Sequence, residues 1–210
     1  MRSAVARLRP CSRAAAPHSC RSARRVGGYE SVGCGTVFSI TTSGQETALH
    51  SFAGRPDGAL PLAALVDVKG VLYGTTLLGG AYGYGSEGGG TVYSITPAGA
   101  EKVLYPFKGG ADASFPESSL IDVNGILYGT TYEGGDLGCG DCGTVYRVGT
   151  TGDEKVLHRF GGWQDGDGAY PQAGLTDVNG VLYGTTTGEP SADATVYSVT
   201  LSGADFTLTP

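Results

Sequence analysis

Long apolar runs are missing from this 210-residue chain: no stretch approaches the ~20 apolar residues of a membrane-spanning helix, so no membrane span is expected. Helical periodicity is missing as well. Apolar residues nowhere recur every 3.6 positions, which argues against helices. With one Met, 9% aromatics, 37 Gly and 10 Pro, the composition favours short strands and tight turns. Acidic residues are absent from the first 26 positions, which carry seven arginines, so the rest of the chain sets 7 cations against all 20 anions. A surface that acidic repels phosphate backbones, and no nucleic-acid partner is expected. No Ser/His/Asp order, G-x-S-x-G elbow or isolated carboxylate pair stands out. The chain is therefore expected not to be an enzyme, with no catalytic residue, cofactor or metal ligand assigned.

Residues 1–26 are rich in Arg, Ala and Ser and lack a continuous apolar core, so they do not read as a secretory signal peptide, although they are loosely similar to an organellar transit peptide. The expectation is a disordered or mis-assigned basic tail outside the fold. Residues 27–210 then form a single tandem-repeat domain.

What the chain does contain is one phrase written three times. VLYGTT at 71–76, ILYGTT at 126–131 and VLYGTT at 181–186 place Leu72, Leu127 and Leu182 at intervals of 55 residues. A second element occurs four times, as GTVFSI at 35–40, GTVYSI at 90–95, GTVYRV at 143–148 and ATVYSV at 194–199. The first three copies lead into ETALHSF, EKVLYPF and EKVLHRF. A loop with Asp57, Asp112 or Asp167 and a proline at 61, 116 or 171 follows, then LVDVKG, LIDVNG or LTDVNG.

Short Val/Ile/Leu/Tyr/Thr runs between glycine turns predict four strands per unit. Asn124-Gly125, Asn179-Gly180 and the matching Lys69-Gly70 predict two-residue type I′ hairpins, because both central residues need positive φ. Ser43-Gly44, Ala98-Gly99 and Thr151-Gly152 do the same between the GTVY strand and the strand ending in Phe. A four-stranded antiparallel unit of this size cannot bury both faces alone, so the copies should stack radially. The expected fold is all-β, a β-propeller-like array of four-stranded antiparallel blades with about three and a half repeats, an incomplete ring of 14 strands. The inter-blade core should draw on Leu72, Leu127 and Leu182, on Val37, Val92, Val145 and Val196, and on Phe52, Phe107 and Phe160. Tyr73, Tyr128 and Tyr183, with Tyr93, Tyr146 and Tyr197, should pack with their hydroxyls reaching a loop.

The ordered motifs GTVF/GTVY, the strand ending in LHSF-type sequence, the aspartate-to-proline loop and LYGTT resemble the GloVer tandem repeats over residues 27–210. The resemblance implies propeller-like blades in an extracellular or cell-envelope protein, with no enzymatic role to carry across. LYGTTYEGG at 127–135 is more distantly similar to the kelch pattern, on which a blade runs from the proline to the phenylalanine. Because residues 27–52 supply only the outer pair of a first blade, the expectation is either a piece of a longer repeat protein or a homodimer closing one ring.

Among chemistry-bearing residues, Cys139 and Cys142 form a C-x-x-C. Zinc lacks a second pair at suitable spacing, and a redox motif would open a helix rather than precede a strand, so a loop-closing disulfide is expected. Two G-x-G-x-x-G matches, at Gly83–Gly88 and Gly138–Gly143, precede strands and offer no helix N-terminus to a phosphate. Asp165-Gly-Asp167 opens like a calcium loop but lacks the downstream ligands, while Asp57, Asp112 and Asp167 share one repeat position and fit turn aspartates. His50 and His158 share a position with Tyr105, which argues for packing. The expected function is a non-catalytic module binding a surface glycan or protein through the loops at 79–89, 134–142 and 188–193, which differ most between copies. The alternative is a glycoside-active propeller using Glu87, Glu133 or Glu189, or else a nonfunctional fragment.

Overall fold

The computed structural model describes residues 3–7, 34–82, 88–135, 139–162, 166–187 and 194–209. These form strands and turns only, and no helix is long and apolar enough to cross a membrane. Three sheets have the same four-stranded antiparallel order. The first of these holds β4 (Val66–Val68), β5 (Val71–Thr76), β6 (Thr91–Ile95) and β7 (Glu101–Pro106). The next holds β8 (Ile121–Val123), β9 (Ile126–Thr131), β10 (Thr144–Gly149) and β11 (Glu154–Arg159), and the last β12 (Thr176–Val178), β13 (Val181–Thr185), β14 (Val196–Thr200) and β15 (Phe206–Thr209). Each runs through the LxDV, LYGTT and GTVY strands to the outer strand in chain order, so a blade does run from proline to phenylalanine.

Ahead of them stands a three-stranded sheet of β1 (Ser3–Arg7), β2 (Thr36–Ile40) and β3 (Glu46–Ser51). The sequence reading counted only its outer pair. β1 lies within the arginine-rich segment that was set apart from the repeat, and pairs antiparallel with β2 from Ser3↔Ile40 to Arg7↔Thr36. It thereby occupies the place of the LYGTT strand, giving 15 strands among the described residues rather than 14.

The turns between the LxDV and LYGTT strands form as their dipeptides predict, whereas in the second set Gly44, Gly99 and Gly152 take positive φ and Ser43, Ala98 and Thr151 do not, so those turns are not type I′. Lys69, Asn124 and Asn179 have φ of 54°, 57° and 55°, followed by Gly70, Gly125 and Gly180 at 85°, 84° and 84°. In each, the aspartate of LxDV accepts a hydrogen bond from the glycine N–H, at 2.7 Å for Asp67, 2.8 Å for Asp122 and 3.0 Å for Asp177.

Three apolar cores join consecutive sheets. Cys34, Val37 and Phe52 meet Tyr93 and Ile95; Val68, Tyr73, Val92 and Phe107 meet Leu120, Leu127, Tyr146 and Val148; Tyr128, Val145 and Phe160 meet Leu175, Leu182, Tyr197 and Val199. Each fully buried side chain of this size contributes about 1.5–3 kcal/mol of transfer free energy. Leu127, Leu182, Val37, Val92, Val145 and the three phenylalanines are buried as expected. Leu72 is only partly buried; the first sheet has three strands among the described residues, with none in the LxDV place that covers Leu127 and Leu182 in the later blades. Val196 is a correction: it is 47% exposed, since its face is the one that the next sheet covers in the preceding blades.

Tyrosine hydroxyls also depart from expectation. Those of Tyr93, Tyr146 and Tyr197 are buried with no hydrogen-bond partner among the described residues, each against the glycine of the neighbouring LYGTT strand. A Cβ at Gly74 or Gly129 would stand 2.7 Å from the hydroxyl oxygen of Tyr93 or Tyr146, and Gly184 faces Tyr197 in the same way. These mid-strand glycines make room for tyrosine rather than turns. In the first sheet, where Phe38 replaces the tyrosine, the strand register sets Val5 opposite it instead of glycine.

Candidate functional site

Repeat differences collect at one end of the blades. The interval between LYGTT leucines is constant, yet Thr36, Thr91, Thr144 and Thr195 are spaced by 55, 53 and 51 residues. The shortening falls in the segment between the second and third strands. A compensating lengthening falls between Phe160 and Pro171, in the loop that leads from an outer strand to the next blade. Antiparallel meander topology puts both kinds of loop at the same end, and backbone bridges tie them together at Ala59↔Leu78, Ser114↔Glu133 and Ala169↔Thr187. The opposite end carries only the short hairpin turns. Tyr82, at the varying end, is 48% exposed, with the Lys108 ammonium 5.3 Å from its ring centroid.

Cys139 and Cys142 lie at this end. They form a disulfide with Cα atoms 6.0 Å apart, against Gly162 of the adjoining loop, where a Cβ would meet Cys139 Cβ at 2.9 Å. Of the three glutamates, Glu87 and Glu189 lie outside the described residues. The Glu133 backbone exchanges hydrogen bonds with Ser114, and burial, then the charges of Asp141 and Glu117, push its carboxyl above the usual range. Asp165 is also outside the described residues, whereas Asp167 is engaged within its own turn.

That engagement belongs to a second feature, a polar group at each junction between outer strands. Asp57, Asp112 and Asp167 accept backbone N–H bonds from Ala53, Lys108 and Gly161 at 2.8, 2.9 and 2.8 Å. Each also contacts the penultimate residue of the preceding outer strand: His50 Nε2 at 3.2 Å, the Tyr105 hydroxyl at 3.0 Å and His158 Nε2 at 3.1 Å. His50, Tyr105 and His158 in turn set their rings edge-on to Phe52, Phe107 and Phe160. The next blade adds a third member opposite Ile95, Val148 or Val199, namely Glu101, Glu154 or Phe206.

Environment sets the charge of these groups. The hydrogen bond to Asp57 holds the His50 imidazole above its ordinary pKa, against the opposing pull of burial. Burial raises Glu101, and the Asp57 charge adds to it. Glu154 is pushed up to about 7, first by burial and then by the Asp112 charge, with the Tyr105 hydrogen bond opposing. Sequence reasoning placed His50, His158, Tyr105 and the aspartates at matching repeat positions but did not bring Glu101 to His50. The glutamate that opens ETALHSF, EKVLYPF and EKVLHRF marks a shared repeat position but does not name its partner across the interface.

Meandering four-stranded sheets, stacked in chain order through repeated Leu, Val, Tyr and Phe positions, define a tandem-repeat, blade-forming β-protein. The chain belongs to the Gloeobacter/Verrucomicrobia repeat family, whose model matches residues 24–209. No curated protein matches it. Among solved structures, 84% of the chain is similar to part of the crystal structure of the tricorn protease, at 13% identity and a TM-score of 0.45. The chain spans 16% of that protein's length.

Proposed function

We propose that the chain is a non-catalytic repeat module of an extracellular or cell-envelope protein, and that it binds a glycan or protein through the loops at the varying end of its blades. One observation carries this reading: the copies differ in length at that end alone, while strands, cores and opposite turns repeat. A scaffold held constant under variable loops is the arrangement of a binding surface. The exposed Tyr82 ring beside Lys108 supplies an aromatic face for stacking on sugar or apolar side chains.

The test probes immobilised glycans and envelope proteins with the labelled full chain, then repeats each positive with Tyr82→Ala. Binding that falls by about tenfold or more in the variant, at unchanged melting temperature, is the expected result. Binding indifferent to Tyr82 and to exchange of the 79–89 loop for the 134–142 loop would overturn the reading, as would hydrolysis of a polysaccharide in the same panel.

A further inference from the structure

The junction between the first two blades holds a donor set that the other junctions lack. His50 on β3, Asp57 in the following loop and Glu101 at the start of β7 offer one ligand atom each, all within 4.8 Å of one another. His50 Nε2 is 3.2 Å from both Asp57 oxygens, and the Ala53 N–H fixes Asp57 Oδ2. Glu101 completes the group from across the interface. Its Oε1 is buried and has no hydrogen-bond partner among the described residues.

The other junctions show how the same scaffold closes without such a set. At the second, the Tyr105 hydroxyl lies 3.0 Å from both Asp112 oxygens. Glu154 Oε1 is bare there too, yet the residue facing it is a neutral phenol and no imidazole nitrogen is at hand. At the third, Phe206 replaces the glutamate and stacks on His158 with centroids 3.5 Å apart, sealing the group with an apolar ring. Among the described residues, only the first junction joins an imidazole to two carboxylates. A proton on His50 would leave that group with net negative charge and Glu101 Oε1 still bare, whereas a divalent cation neutralises both carboxylates and gives the oxygen a partner.

Imidazole nitrogen with two carboxylate oxygens is a donor set suited to zinc, whose ligands lie about 2.0–2.2 Å from the ion. Tetrahedral ligands then stand roughly 3.4 Å apart, so from a separation of at most 4.8 Å the Glu101 carboxylate closes by up to about 1.4 Å, within reach of rotation of its side chain. We propose that His50, Asp57 and Glu101 form a zinc-type divalent-cation site that clamps the first blade to the second, with solvent completing the coordination.

The test is equilibrium dialysis of the full chain, without reductant, against micromolar ZnCl2, with bound zinc counted by elemental analysis and melting temperature followed in parallel. One zinc per chain and a raised melting temperature are expected. Both should be lost in His50→Tyr, which installs the side chain of the second junction and so fits the scaffold, and kept in His158→Tyr. Glu101→Gln should weaken zinc binding at least tenfold and serves if His50→Tyr does not fold. Absence of saturable zinc, or a stoichiometry equal in wild type, His50→Tyr and Glu101→Gln, overturns the proposal.

Discussion

Every letter of the repeated LYGTT phrase has a separate physical task. Its leucine packs against the preceding sheet, fully buried at Leu127 and Leu182, and its tyrosine faces the following one at Tyr73 and Tyr128. The glycine admits the buried tyrosine of the adjacent strand. The first threonine reaches toward the next blade, as Thr130 Oγ1 does in donating to the Ala173 carbonyl at 3.2 Å. The second pairs with the threonine of GTVY, at 2.8 Å for Thr76–Thr91 and 2.7 Å for both Thr131–Thr144 and Thr186–Thr195. Gly129→Ala would drive a Cβ to 2.7 Å from the Tyr146 oxygen and is expected to cost about 1–3 kcal/mol in urea unfolding. Tyr146→Phe removes a buried hydroxyl that has no partner among the described residues, so it should leave stability within about 0.5 kcal/mol or raise it. A large loss in Tyr146→Phe would show that the hydroxyl has a partner in solution.

Between elements, outer strands communicate through bulges and carboxylates. β2, β6 and β10 each shift register against their outer strand at the same place, between Val37 and Phe38, Val92 and Tyr93, and Val145 and Tyr146. The residue skipped there, Leu49, Leu104 or Leu157, turns its carbonyl toward the next blade's hairpin glycine, Gly99, Gly152 or Gly203, where a side chain would not fit. This close approach brings Glu154 beside Tyr105 and Asp112. With its folded pKa pushed up to about 7 from an ordinary 4.5, Glu154 binds more protons in the native state than in the unfolded chain across that interval. Stability therefore falls as pH rises from 4.5 to 7 on its account. His50 acts with the same sign, because its raised pKa supports stability that is lost as pH climbs through the folded value. Glu154→Gln should raise the melting temperature at pH 8 by a few degrees and flatten the decline between pH 5 and 8. An unchanged slope in thermal scans would mean that Glu154 ionises freely in the folded protein.

At the scale of the whole molecule, the last sheet presents an uncovered apolar face among the described residues. Val178, Tyr183 and Val196 on the last sheet are 49%, 42% and 47% exposed, while their counterparts Val68, Tyr73, Tyr128, Val92 and Val145 are buried under the following blade. No apolar core among the described residues joins this sheet to the first. Grouped apolar side chains of this kind favour covering by another blade-like surface. Light scattering should show a mass that rises with concentration, and Val196→Lys should shift it toward the monomer. A monomer at every concentration would sink association through this face.

Local signals account for what could be read from the chain alone. Strand number per blade, the phase from proline to phenylalanine, the type I′ turns and most core positions follow from side-chain alternation and from residues that tolerate positive φ, properties carried within a few neighbouring residues. The strand at Ser3–Arg7 is illegible because one valine among two alanines, a serine and an arginine is too weak a β signal, and pairing with β2 decides it. Exposure of Val196 was illegible for a different reason: a repeat position is apolar in every copy, but burial depends on whether another sheet lies over it. Likewise, nothing in the sequence tells a glycine that turns the chain from one that admits a tyrosine, and nothing brings Glu101 to His50 across 51 residues. The sequence by itself determined the blades, because hydrogen bonding and alternation act along and between adjacent strands; only tertiary structure decided which faces are covered and which polar groups meet, because those depend on the register of one sheet against the next.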